Sequence, residues 1–226
     1  VATPFYMRTP KSHIGFMDLE TYRPRDMGDY HEVYAVGWIP HCLEGEDLQP
    51  KNVRLYDSTD DPLTHNAALV HAMVDLIALI QSKPDTYTRK KPYYLYFYNG
   101  AGFDNLLLLQ TMASHFHALP TSMAKKDGRL MTLSFLDGAL VVRDLCLFTL
   151  ASLDKVCKTY NVDAHLAKGK FDHNLITSLE DVNRYWDDVY KNGKLERMGI
   201  ATYLAKDLTA LNAVFNVFAQ SCFDIF

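Results

Sequence analysis

The chain is short of cysteine. It has four in 226 residues, Cys42, Cys146, Cys157 and Cys222, and none stands in a Cys-x-x-Cys pair. That spacing argues against a disulfide framework and a structural zinc site, and the expected setting is a reducing, intracellular compartment. Long apolar runs are missing too. None approaches the ~18–20 residues needed to cross a bilayer, and Val1 to Pro10 has no apolar h-region, so neither a membrane span nor a secretory signal is expected. Nor is there an excess of positive charge. With 23 Lys plus Arg against 27 Asp plus Glu the net charge is −4, unlike a protein whose grip on nucleic acid comes from many phosphate contacts. The balance still admits an enzyme that holds a few nucleotides through metal ions. Glycine and proline gather into no tract and no internal repeat is found, while 48% hydrophobic residues suit a folded domain.

The order of patterns then sets the fold class. His13 to Thr21 is mostly apolar and closed by Tyr22-Arg23-Pro24, as in a buried strand. Glu32 to Ile39 and Asn52 to Tyr56 read as two more, giving an opening β-meander. Behind Thr64, the expected N-cap, Leu69, Val70, Met73, Leu76, Ile77 and Ile80 recur at helical spacing. Tyr93 to Tyr98 is a fourth strand, ended by Asn99-Gly100-Ala101-Gly102, with a helix from about Phe103. Leu130 to Leu136 and Ala139 to Asp144 form a hairpin around Asp137-Gly138. Ser152 opens a short helix, residues 163–174 are loop-like, and helices are expected from Ser178 to Tyr190 and from about Gly199 to Cys222. Together these predict an α/β fold, a ribonuclease H-like mixed sheet flanked by helices.

Three short patterns carry chemistry. Asp18-x-Glu20 lies on the first strand, where residues two apart share a face, so both carboxylates can meet one metal ion. The bland reading of so short a pattern is an ordinary strand-end pair. Asn99-x-x-x-Phe103-Asp104 falls where the fourth strand meets its helix, the strand end that favours ligand groups; there Asp104 also suits a helix cap. Tyr203-x-x-x-Asp207 puts a phenol and a carboxylate one turn apart on the last helix, a spacing common on solvated faces. Taken together, Asp18, Glu20, Asp104 and Asp207 would repel one another without cations. Two divalent ions would neutralise them and clamp a phosphodiester, and all-oxygen ligands suit Mg²⁺ or Mn²⁺.

In their order, Asp18-Leu19-Glu20, Asn99-Gly100-Ala101-Gly102-Phe103-Asp104 and Tyr203-Leu204-Ala205-Lys206-Asp207 resemble the three exonuclease motifs of family B DNA polymerases. The terminal Tyr-x-x-x-Asp is similar to that of the tyrosine-bearing DEDD 3′–5′ exonucleases. Ser152-Leu153-Asp154-Lys155-Val156 resembles the single-stranded-DNA motif of the protein-primed subgroup of phages and linear plasmids, including mitochondrial plasmids. Lys168-Gly169-Lys170-Phe171 resembles that subgroup's lysine motif. The resemblance runs from about His13 to Leu211.

It implies that Asp18, Glu20, Asp104 and Asp207 bind two Mg²⁺ or Mn²⁺ ions, that Tyr203 positions water, and that Lys168 assists at the scissile phosphate. It further implies that Thr21, Asn99, Phe103, Ser152 and Leu153 hold the 3′ end of single-stranded DNA. Phe103 is read equally well as a base-stacking group or as core packing. Palm, finger and thumb motifs do not occur in the sequence, so a single exonuclease-like domain over residues 1–226 is expected. Such a domain would stand alone, be an excised fragment, or be recruited to a separate polymerase subunit or larger assembly. The implied activity is a metal-dependent, proofreading-type 3′–5′ exodeoxyribonuclease, in a mitochondrial or phage- or plasmid-associated setting. An idle exonuclease-like module and an exoribonuclease of the same superfamily stay open as alternatives. His115-x-His117, Arg89-Lys90-Lys91 and the tyrosines Tyr93, Tyr94, Tyr96 and Tyr98 are read as surface, solvated loop and strand packing respectively.

Overall fold

The computed structural model describes residues 9–24, 30–163, 165–166 and 169–225, and for 222–225 the backbone alone. Its centre is a seven-stranded mixed sheet: β1 (Ile14–Tyr22), β2 (Glu32–Ile39), β3 (Arg54–Asp57), β4 (Tyr93–Phe97), β5 (Ser122–Lys126), β6 (Arg129–Phe135) and β7 (Leu140–Asp144). The strands stand in the order β3-β2-β1-β4-β7-β6-β5. β1, β4 and β7 run parallel, while the meander β1-β2-β3 and the hairpins β5-β6-β7 are antiparallel. The helices are α1 (Ala67–Gln81), α2 (Asp104–His115), α3 (Cys146–Thr149), α4 (Leu153–Thr159), α5 (Leu179–Tyr185) and α6 (Ile200–Ile225). A separate hairpin, β8 (Val189–Lys191) and β9 (Lys194–Arg197), precedes α6.

Alternation along the strands divides the core in two. From β1 and β4, Met17, Leu19, Tyr93, Leu95 and Phe97 face a cluster completed by α1, α2, β6 and β7. Ile14, Phe16, Tyr94 and Tyr96 face the opposite cluster, which is built with α4 and with Leu208, Leu211, Val214 and Phe215 of α6. Helix α6 is held close by a glycine. A Cβ at Gly37 of β2 would lie 2.3 Å from Leu208 Cδ1 and 3.0 Å from Leu204 Cγ, so the helix rests where a side chain would otherwise stand.

The structure departs from the sequence-based elements in three places. The cap of α1 is Asn66, in left-handed backbone, rather than Thr64, and the Asn66 side chain accepts the Val33 amide at 2.8 Å, tying α1 to β2. The helix expected to reach Tyr190 ends at Tyr185, and the β8–β9 hairpin follows. Strand β5 is a further hairpin partner, paired to β6 across Asp127-Gly128.

Candidate active site

Asp18 and Glu20 continue the face of β1 that carries Phe16, and therefore look toward α6. Phe16 pairs with Tyr96, so β1 carries both acids past the last residue of β4. Asp18 is paired with Gly37, the residue on which Leu204 and Leu208 of α6 sit; α6 thus lays Tyr203 and Asp207 beside β1. Both side chains are buried, as is Glu20. Asp18, Asn99, Ser152, Leu153 and Asp207 line one cleft of about 540 Å³, together with Tyr98, Cys146 and Leu150.

Electrostatics place the remaining acid with them. Burial, then the charges of Asp207, Glu20 and Asp18 and a hydrogen bond to Asp207, push the Tyr203 phenol far above its ordinary range. The buried Tyr34 phenol is raised by burial and then by Glu20 and Asp18. Burial, followed by the charges of Glu20 and Asp144, pushes the partly buried Asp104 carboxyl up to about 7. Burial is the larger cause, and the two neighbouring carboxylates add to it. Among the described residues no three acidic, imidazole or thiol groups stand close enough to form a ready metal cage. Asp18 and Asp207 line the cleft itself, and the charge of Glu20 acts on both Tyr203 and Asp104.

The loop carrying Asn99 and Asp104 is fixed by a residue that sequence spacing does not single out. Asp144, at the end of β7 and only 2% exposed, accepts the amides of Asn99 (2.8 Å) and Cys146 (2.9 Å) on Oδ1 and of Ala101 (3.0 Å) on Oδ2. Asn99 itself takes left-handed backbone at φ 63°, which Asn tolerates, and this turns the chain from β4 into the Gly-Ala-Gly bend. Tyr98 donates to the Ala151 carbonyl (2.6 Å) and bonds Thr149 Oγ1 (2.8 Å), linking this loop to the segment that ends in Ser152. Ser152 caps α4 by accepting the Lys155 amide, and the side chain of Leu153 is buried in the cluster beneath the cleft.

Phe103 is 38% exposed and meets His31 edge-on at 4.8 Å, so it is neither core nor isolated. His31 in turn bonds Thr21 Oγ1 (3.2 Å) and accepts from Arg23 Nε (2.9 Å), so Thr21 and Phe103 are braced by one imidazole. A second histidine outside the sequence-based set, His173, lies 3.2 Å from Glu20 Oε2 and edge-on to Tyr203, with Phe171 against both rings. It follows the lysine motif by two residues, yet nothing in its spacing marks it. Lys168 lies outside the described residues. Gly169 abuts the Tyr203 ring, where a Cβ would be 3.3 Å from Cδ2.

A mixed sheet with acids beyond its parallel strands and a helix laid across that edge defines an α/β, ribonuclease H-like fold. The family described as DNA polymerase type B, organellar and viral, matches residues 84–198, just over half of the chain, and the protein belongs to that family. Among solved structures the chain is similar to phi29 DNA polymerase in complex with single-stranded DNA, at 13% identity and a TM-score of 0.50. It is also similar to the ternary complex of phi29 DNA polymerase with primer-template DNA and incoming nucleotide, at 13% identity and a TM-score of 0.54. Each alignment covers 92% of this chain and 31% of the polymerase, so the chain spans about a third of those molecules. No curated protein matches. At this identity the likeness concerns the fold.

Proposed function

We propose that the chain is a metal-dependent 3′–5′ exonuclease domain acting on the 3′ end of single-stranded DNA. The observation that carries this reading is that Asp18 and Asp207 line one cleft, with Tyr203 under the charges of Asp207, Glu20 and Asp18, and Asp104 pushed up to about 7 by burial and then by Glu20 and Asp144. Carboxylate oxygens gathered in this way, with the Glu20 charge acting on Asp104, are matched by hard divalent cations. Asp18, Glu20, Asp104 and Asp207 would hold two Mg²⁺ or Mn²⁺ ions, which when bound supply Lewis-acid stabilisation of the charge gathering on the phosphate oxygens.

The chain's own groups have separable roles. Tyr203 stays protonated at physiological pH and donates to Asp207, so it orients the attacking water and is no base. Asn99 and Ser152 on the cleft wall hold sugar and phosphate. Phe103, presented by His31, offers a face to the terminal base, a contact worth ~1–3 kcal/mol. Lys168 would approach the scissile phosphate. Water oxygen bonds to phosphorus, the bond to the 3′ oxygen breaks, that oxygen is protonated, and a nucleoside 5′-monophosphate leaves. Residues 1–226 act as one domain, and the polymerase functions of the longer relatives come from elsewhere, on the same protein or on a partner, in an organellar or viral setting.

The test is incubation with 5′-labelled single-stranded DNA and RNA in Mg²⁺, Mn²⁺ or EDTA. A metal-dependent ladder on DNA, abolished in Asp18→Ala and Asp207→Ala with the fold kept, is the expected result. Wild-type rates in both variants would refute the site. A ladder on RNA alone would make it an exoribonuclease, and no ladder at all a structural module.

A further inference from the structure

The cleft explains how a terminal nucleotide is held but not how the preceding strand is guided. The β5–β6 hairpin bears on this. Its turn, Asp127-Gly128, takes positive φ at both residues (49° and 78°), and Lys125, Lys126 and Arg129 around it are all exposed. The tip end of the hairpin is anchored beside Asp104, because Asn105 Nδ2, next in sequence to Asp104, donates to the Leu130 carbonyl at 2.6 Å, and Leu130 is the register partner of Lys125, one pair back from Lys126 and Arg129. The charge also reaches the cleft. Burial and Asp144 raise the pKa of the Cys146 thiol on the cleft wall, and the Arg129 cation opposes that rise.

Lysines on an edge strand such as β5 can serve merely to block pairing with another sheet. That role would spread them along the strand. Here Ser122, Met123 and Ala124 are uncharged, and the cations gather at the tip beside the cleft, in a chain of net charge −4. Strands lie about 4.8 Å apart, and β5 is the third strand from β4. The tip therefore lies within the reach of a few nucleotides from Asn99.

We propose that the basic tip of the β5–β6 hairpin, Lys125, Lys126 and Arg129, is a phosphate-binding ledge that carries the backbone of single-stranded nucleic acid toward the cleft. It deepens the exonuclease reading by extending the substrate site beyond the terminal nucleotides, and it rests on that reading. The contact is with backbone phosphates and is indifferent to base.

The test measures binding of 5′-labelled (dT)15 in EDTA over a range of NaCl concentrations. The variants are Lys125→Ala/Lys126→Ala/Arg129→Ala and a control of equal charge change, Lys51→Ala/Lys90→Ala/Lys194→Ala, whose lysines are exposed elsewhere. Three lost phosphate contacts make the slope of log K against log [NaCl] shallower by about 2 in the hairpin variant, with affinity at least about tenfold weaker at low salt. Slopes and affinities indistinguishable from the control would overturn the ledge. Metal-dependent hydrolysis separates the two claims: a wild-type chain that shows the hairpin-dependent slope but never degrades DNA removes the exonuclease reading and leaves the ledge, and one that degrades DNA with the slope unchanged does the reverse.

Discussion

Asp144 offers the sharpest separation of scaffold from chemistry. It is a buried carboxylate that accepts three backbone amides, from Asn99, Ala101 and Cys146, and has no place among the proposed metal ligands. Replacing it by Ala leaves three donors unpaired in a closed loop. Each bond to an ionised acceptor is worth about 1.5–3 kcal/mol net, and partial relaxation recovers some of the sum, so a loss of about 3–5 kcal/mol is expected. For a chain of this length that lowers the melting temperature by roughly 6–20 °C. Asp144→Asn keeps one acceptor for Asn99 and Cys146 but sets an amide NH₂ against the Ala101 N–H, so about 1–3 kcal/mol is lost. Urea unfolding followed by fluorescence gives both numbers. Because the same loop carries Asn99 and Asp104, hydrolysis falls in both variants at temperatures where they are fully folded. An Ala variant within about 0.5 kcal/mol of the wild type would show that the loop is not held by Asp144, and would remove the account of how Asp104 is positioned.

Two further outcomes follow from the site. Asp104 sits at about 7, above its unfolded value of 3.8, so its contribution to stability is fully present below pH ~4 and is lost as pH rises through 7. Near pH 6, saturating Mg²⁺ should therefore release up to about one proton, seen as a buffer-dependent heat in calorimetry that Asp104→Asn removes; equal heats in buffers of different ionisation enthalpy would contradict the shift. Gly37→Ala drives a methyl toward Leu208 Cδ1 and Leu204, costs about 1–3 kcal/mol, and lifts α6 away from Asp18. Thermal melts and turnover should fall together, and a Gly37→Ala chain as active as the wild type would mean that Asp207 does not depend on that close approach.

The central strands were legible because their burial is periodic or continuous. β2 was expected over Glu32 to Ile39 and occupies those residues, and the β6–β7 turn at Asp137-Gly138 takes positive φ as its residues permit. β5 escaped notice because Ser-Met-Ala-Lys-Lys on an exposed edge has no buried face to impose alternation. The start of β8, Val189 and Tyr190, falls inside the expected helix for a different reason, and β9 lies in the stretch between the two expected helices. The pattern from Ser178 stays compatible with a helix past Tyr185, and what ends it is tertiary: Asp188 Oδ1 accepts the Gly199 amide at 2.7 Å, and a Cβ at Gly199 would lie 2.3 Å from the Trp186 carbonyl. Neither contact has a local signature.

The site divides along the same line. Asp18 and Glu20 could be read because a strand fixes which residues share a face, and Tyr203 with Asp207 because a helix fixes which lie a turn apart. Each pattern is common by itself, and only their order along the chain made them specific. Asp144, His31 and His173 reach these groups through tertiary contacts, from Asp144 to Asn99, from His31 to Phe103 and from His173 to Glu20, the last across 153 residues of chain, and no periodicity encodes such a distance. Asp18, Glu20, Tyr203 and Asp207 are therefore tied to regular elements, and the groups that hold them are tied to tertiary contact. It follows that a sequence with the three motifs intact could still lose the site through a change at Asp144 or Gly37, positions that carry no motif.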